Sequence, residues 1–294
     1  MTDLLLVATD GGRTAANALR FAAAYSEREG VSVEIVSVVE PLADLPMPLP
    51  HREELEQAHA RGVAERVREH LYDAVGRVAW PIHVRLGRPA PAICQVARER
   101  AARVLVLGIE PRKPDGNSTA VELIHLAEKP VLTAPDSALP RTAVVGVDFR
   151  RSSFCAAGEA QRLLGPGGVL HLIHVQPALD FPAASVWHWE SCYEGAVHAG
   201  FDRIAAELRA AGAAEVHTYL TEGEPAAVLL ARADELAADL VAVGSDGYSC
   251  RGRVVIGRVA QRLVREAPAA VLATPVPTGT ELEIAPAAVV PRYA

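Results

Sequence analysis

Ala143-Val144-Val145-Gly146-Val147-Asp148 decides the fold, because the chain has already spelled it once as Leu4-Leu5-Leu6-Val7-Ala8-Thr9-Asp10. Each is an apolar run that ends on an aspartate, and the two aspartates lie 138 residues apart. Working outward, Gly223-Glu224-Pro225 answers Gly87-Arg88-Pro89, and Leu240-Val241-Ala242-Val243-Gly244 answers Val104-Leu105-Val106-Leu107-Gly108, both at an offset of 136. Val271-Leu272-Ala273-Thr274-Pro275 answers Val131-Leu132-Thr133-Ala134-Pro135 at an offset of 140. The chain is a tandem repeat, with domains expected at 1–138 and 139–278 and a tail at 279–294.

Each copy alternates short aliphatic runs with longer stretches of helical period. The runs are 4–9, 31–38, 82–86, 103–107 and 131–133, then 142–147, 168–175, 215–221, 239–243 and 270–274. The first and fourth of each copy are almost unbroken aliphatics, as in strands covered on both faces. Helices are expected at Arg13–Glu29, Arg52–Val75 and Pro89–Arg100, and at Ser153–Leu164, Trp187–Ala211, Pro225–Leu236 and 258–266. Pro89 and Pro225 open their helices, where a missing N–H costs nothing. Strand, helix, strand with right-handed crossovers gives two tandem doubly wound α/β domains. Pro41–Pro50 and Pro177–Ala184 read as surface connections, and Glu281-Leu282-Glu283-Ile284 as a candidate edge strand.

Half of the 294 residues are hydrophobic and only 5% are aromatic, so both cores must be aliphatic. A net charge of −7 argues against nucleic acid or an anionic membrane as the main partner. No apolar run approaches the roughly 20 residues of a membrane span. The cysteines (Cys94, Cys155, Cys192, Cys250) are scattered and no leader precedes Asp10, so a cytoplasmic location is expected. The histidines lack metal spacing; His171 and His174, three apart in one strand, face opposite sides. No Gly-x-Ser-x-Gly elbow and no closing Gly-Lys-Ser/Thr appear, which leaves neither a hydrolase nucleophile nor a P-loop.

Ligands of open α/β sheets bind at the carboxyl ends of the strands where strand order reverses. In the second copy that edge collects Asp148, Val175 and the segment Gly244-Ser245-Asp246-Gly247 to Gly257. Asp148 is a carboxylate able to accept from an amine or a ribose hydroxyl, and equally able to cap the helix beginning near Ser152. Gly244 and Gly247 would let backbone N–H groups approach a phosphate, and Gly257 opens a helix whose N-terminus favours an anion. Arg251, Arg253 and Arg258 add cations to the same loop, with Arg150 and Arg151 nearby. The first copy has Ile109-Glu110-Pro111 after Gly108 and so lacks the second glycine. Asn117-Ser118-Thr119 stands where the second copy has Gly257-Arg258-Val259, and the first site reads as degraded or altered.

The spacing Gly-x2-Gly-x9-Gly, followed by Arg265-Glu266-Ala267-Pro268-Ala269-Ala270-Val271-Leu272, resembles the universal stress protein (UspA-like) family over about residues 1–276. Val147-Asp148, His174-Val175 and Gly223-Glu224-Pro225 match further positions of its pattern. The resemblance implies two domains of five parallel strands, packed as an intrachain pseudo-dimer with 131–133 and 270–274 crossing at the pseudo-twofold. It implies that Asp148 and Val175 contact adenine, and that Gly244, Gly247, Gly257, Arg258 and Val259 hold ribose and phosphates. The ligand implied is ATP or a related adenine nucleotide, with magnesium as its companion, bound in the C-terminal half by a stress-signalling protein that is not an enzyme. An unidentified protein partner and a whole-chain homodimer fit that picture. Arg258 departs from the family, whose ATP-binding pattern carries Ser or Thr there. Two alternatives stay open from the sequence: a scaffold of the same fold without nucleotide, and a weak ATPase or phosphotransfer enzyme.

Overall fold

Leu4, Leu5, Leu6 and Val7 are all buried, yet they divide between two apolar layers: Leu5 and Val7 pack in one, Leu4 and Leu6 in the other. That is the period of two of a strand with helices on both faces. The computed structural model describes residues 3–41, 52–76, 78–111, 118–176, 186–213, 215–245, 248–250, 253–255 and 257–276. The first copy runs β1 (Leu4–Ala8), α1 (Arg13–Glu29), β2 (Ser32–Val39), α2 (Arg52–Val75), β3 (Ile82–Leu86), α3 (Pro89–Glu99), β4 (Val104–Gly108), α4 (Ser118–Leu126) and β5 (Val131–Ala134). The second runs β6 (Thr142–Gly146), α5 (Arg151–Leu164), β7 (Val169–Gln176), α6 (Val186–Ala210), β8 (Glu215–Glu222), α7 (Pro225–Glu235), β9 (Leu240–Gly244), β10 (Tyr248–Cys250), β11 (Arg253–Val255), α8 (Arg258–Glu266) and β12 (Ala270–Thr274). The expected elements stand within two residues of these bounds. The short antiparallel hairpin of β10 and β11 was not expected. The candidate strand 281–284 and most of both proline-rich connections lie outside the described residues.

Each copy contributes five mutually parallel strands, and the two sets are continuous. The sheet order is β3-β2-β1-β4-β5-β12-β9-β6-β7-β8, with β5 and β12 antiparallel. The final strands therefore lie side by side: Leu132 pairs with Leu272 and Thr133 with Val271. At that seam the Thr133 hydroxyl, itself fully buried, accepts from Val271 N at 3.1 Å and donates to Val271 O at 3.3 Å. One apolar layer draws on α1, α2, α5 and α6, and the other on α3, α4, α7 and α8. Both layers run unbroken across the two copies. Because the seam is antiparallel, the carboxyl ends of the first five strands point opposite to those of the second five.

The copies are also tied by a polar cluster between α1 and α5. The Arg28 guanidinium donates to Leu163 O at 2.6 Å and Leu164 O at 3.0 Å, at the carbonyl end of α5 where a cation complements the helix dipole. Arg103 pairs with Glu159 at 3.0 Å and donates to the Tyr25 hydroxyl at 3.1 Å. The Glu159 side chain is only 8% exposed. Burial holds its carboxyl above the ordinary range, offset in part by Arg103 and Arg162. Removing one partner of such a pair strands the other's charge in the interior. Glu159→Ala should lower the unfolding free energy by about 3 kcal/mol in urea titrations, and Arg103→Leu in the same chain should recover part of that loss.

Candidate functional site

The order of strands places β9, β6 and β7 next to one another, so their carboxyl ends form one edge. That edge carries Gly244 at the end of β9, Asp148 just beyond β6 and Val175 near the end of β7. Val175 and Val259 are partly buried against the apolar layer of α3, α4, α7 and α8. The structure therefore sets Asp148, Val175 and Gly244 on one edge. Gly247, Arg251 and the side chains of 248–250 and 253–255 lie outside the described residues.

Asp148 does not cap α5. That helix begins at Arg151 with Arg150 as its N-cap residue and no side-chain cap. The Asp148 carboxylate instead closes a side-chain turn, accepting from Arg150 N at 3.0 Å, and Asp10 does the same to Gly12 N at 2.7 Å. One carboxylate oxygen is thereby committed to the chain in each copy. Between Asp148 and Arg150, Phe149 takes a φ of 59°, where the first copy has Gly11 at 79°. A bulky residue in this region needs outside support. Its ring lies 4.8 Å from His174 and 5.4 Å from Phe201, over Gly200, where a Cβ would stand 2.6 Å from a ring carbon. His174 completes the brace: Nδ1–H donates to Val147 O at 2.6 Å, and Nε2 faces the Tyr193 hydroxyl at 2.6 Å. Burial lowers the His174 pKa, so the ring is neutral and Nε2 accepts.

Gly244 has a structural reason that differs from the one its sequence suggested. A Cβ there would lie 2.4 Å from Ser152 Oγ, and at Gly108 it would lie 1.9 Å from Thr14 O. Each glycine thus admits the first turn of α5 or α1 against the fourth strand of its copy. This explains why it persists where the rest of the glycine loop is lost.

The helix that follows is held by a salt bridge whose charges are exchanged between copies. Glu224 accepts from Ala226 N at 3.2 Å and Ala227 N at 2.8 Å to cap α7, and pairs with Arg262 on α8. In the first copy Arg88, the N-cap residue of α3, pairs at 2.7 Å with Glu122 on α4. The Gly-x-Pro pattern common to both copies does not show that its middle residue swaps sign together with a partner on the next helix. The bridge fixes α8, whose N-cap residue Gly257 has no side-chain cap and whose first turn holds no acid. Arg258 is exposed at its start and forms no ion pair with a described residue. An uncapped helix start beside an exposed guanidinium is a setting for an anion.

The first copy retains an open cleft of about 500 Å³ at the corresponding edge. It is lined by Asp10, Val38, Gly108, Glu110, Ser118 and Thr119, among others. Val38 is the β2 counterpart of Val175. The edge read from sequence as degraded or altered keeps this cavity, with hydroxyls at the start of α4 and a glutamate in the strand-exit segment.

Two doubly wound halves, joined into one sheet by an antiparallel seam, define a tandem α/β protein. The universal stress protein family model matches residues 1–135 and again 140–275, and the chain belongs to that family. It is similar to a universal stress protein from Archaeoglobus fulgidus DSM 4304, at 19% identity over 94% of this chain and 99% of that one, with a TM-score of 0.69. It is also similar to a functionally unknown protein from Pseudomonas aeruginosa PAO1, at 14% identity over 94% and 93% of the two chains, with a TM-score of 0.60. At such identities the likeness establishes the fold. No curated protein is significantly similar.

Two outcomes are expected. Glu224→Arg and Arg262→Glu should each lower the thermal midpoint. The double exchange should restore only part of it, because the guanidinium of Glu224→Arg cannot accept from the first N–H groups of α7 and the carboxylate of Arg262→Glu would face Glu266. His174 is neutral in the fold but titrates at about 6.5 once unfolded. The unfolded chain therefore takes up a proton that the folded one refuses as pH falls below that value, and stability present above it is lost. His174→Gln should reduce the drop in urea midpoint between about pH 7.5 and about pH 5.5. His125 and His171, also lowered by burial, should leave a residual dependence.

Proposed function

We propose that this universal stress protein binds ATP or a related adenine nucleotide at the carboxyl edge of its C-terminal half, and acts through occupancy of that site. The observation that carries this reading is the start of α8: an uncapped, acid-free helix terminus beside an exposed guanidinium, on the edge shared with Asp148 and Val175. Asp148 supplies an acceptor for the adenine amine or a ribose hydroxyl, and Val175 and Val259 supply apolar surface. Gly257 and Arg258 meet the phosphates; Gly247, which the same reading gives to them, lies outside the described residues. Magnesium would arrive with the phosphates; among the described residues no cluster of three His, Cys, Asp or Glu could hold a metal by itself.

In this reading the nucleotide is bound without efficient turnover and acts as a signal. Occupancy would instead change the surface around α8 and the β10–β11 hairpin, where a protein partner would read it. Among the described residues no helix is long and apolar enough to cross a membrane.

Calorimetric titration with ATP tests the assignment. Arg258→Ala should weaken binding by about tenfold or more, the scale of a lost charge-assisted hydrogen bond, and Asp148→Asn should weaken it too. Tighter binding by Arg258→Ser than by the wild type would overturn it, because the arginine would then be filling the phosphate space.

A further inference from the structure

Asp148 and Val175 do not reach the C-terminal edge independently. Asp148 stands between Val147 and Phe149, and Val175 follows His174. Val147, Phe149 and His174 are joined to one another. The His174 Nδ1–H donates to Val147 O at 2.6 Å, which ties the end of β7 to the segment just beyond β6. The Phe149 ring lies 4.8 Å from the same imidazole. Phe149 carries that ring at a φ of 59°, a region that is strained for a bulky residue. The first copy shows that the turn needs no ring. It closes the same aspartate turn with Gly11 in the middle, and Ser37 stands at the place of His174. The second copy thus spends backbone strain on a pair of rings that the turn itself does not require.

We infer that Phe149 and His174 are positioning residues that hold Asp148 and Val175 at one spacing, so that the carboxylate meets the exocyclic amine of a base lying against Val175. This rests on reading the edge as an adenine-nucleotide site. The Asp148 Oδ1 atom accepts from Arg150 N, which leaves Oδ2, 3.7 Å from the Arg150 Nε, to accept from the ligand. Two strand ends free to drift would let that oxygen serve an amine or a ribose hydroxyl alike. Locked together by a side-chain bond and a ring contact, they favour one donor at one place. The lock is itself supported from α6. Tyr193 donates to His174 Nε2 at 2.6 Å, and Phe201 packs on the Phe149 ring at 5.4 Å. The three atoms nearest to a Cβ built at Gly200 all belong to that ring, the first at 2.6 Å, so only glycine admits it.

Gly200 therefore offers a test that leaves every ligand residue in place. Gly200→Ala improves the intrinsic helix propensity of α6, yet its methyl must displace the Phe149 ring. Calorimetric titrations of the full chain with ATP and with purine riboside triphosphate, which lacks the exocyclic amine, read the base contact apart from the phosphates. The wild type should prefer ATP by about tenfold or more, the scale of a hydrogen bond to a charged group. Gly200→Ala and Phe149→Gly should each reduce that preference several fold through weaker ATP binding, with affinity for the amine-free analogue little changed. His174→Asn, whose amide can donate to Val147 O in place of Nδ1, should keep more of the preference than His174→Ser. Equal binding of the two nucleotides by the wild type would overturn the inference. So would a preference unchanged in Phe149→Gly, or an equal loss of affinity for both nucleotides, which is what a merely structural role would give. No binding of either nucleotide by the wild type would instead remove the nucleotide reading, and this inference with it.

Discussion

The antiparallel pairing of β5 with β12 is the constraint on which the rest depends. A parallel sheet of five strands ends in an open edge of unsatisfied N–H and C=O groups, which must be covered or paired. Here each copy covers the other's edge, and the Thr133 hydroxyl adds two hydrogen bonds to the backbone of Val271. The pairing turns ten strands into one sheet, lets both helical layers run across the seam, and brings α1 against α5 where Arg28 and Arg103 bind across. It also sends the carboxyl edges of the two copies to opposite sides. A single ligand therefore cannot bridge them, and each is free to diverge.

The tandem arrangement makes each copy a control for the other. What both retain serves the fold: the aspartate turn after the first strand, and the fourth-strand glycine that admits a helix turn. What is retained with its sign reversed, Arg88–Glu122 against Glu224–Arg262, shows that a contact was needed there and its polarity was not. What differs outright includes Gly11 against Phe149, whose ring packs on His174 and Phe201, and Ser118 against Arg258 at the start of the last helix.

Much of this was legible in the sequence because strand and helix periods are local properties of the chain. Buried on both sides, β1, β4, β6 and β9 appear as unbroken aliphatic runs, and Pro89 and Pro225 mark helix starts. Other features are not local. The ion pair of Arg103 with Glu159 joins residues from different copies, and nothing near either residue announces it. Gly244 was read as making room for phosphate, whereas the atom it makes room for belongs to Ser152, 92 residues earlier in the chain. The β10–β11 hairpin hid inside a glycine-rich segment whose composition reads as loop. The first copy's broken motif shows that its edge is altered but not that a cavity remains there, because a cavity depends on the side-chain volume around it and not on the motif.

Native mass spectrometry of the purified full-length chain, followed by denaturation to identify whatever is released, tests the central claim most directly. The account predicts a mass increment of one phosphorylated adenine nucleotide per chain after incubation with excess ATP. No increment, or two nucleotides per chain, would contradict it.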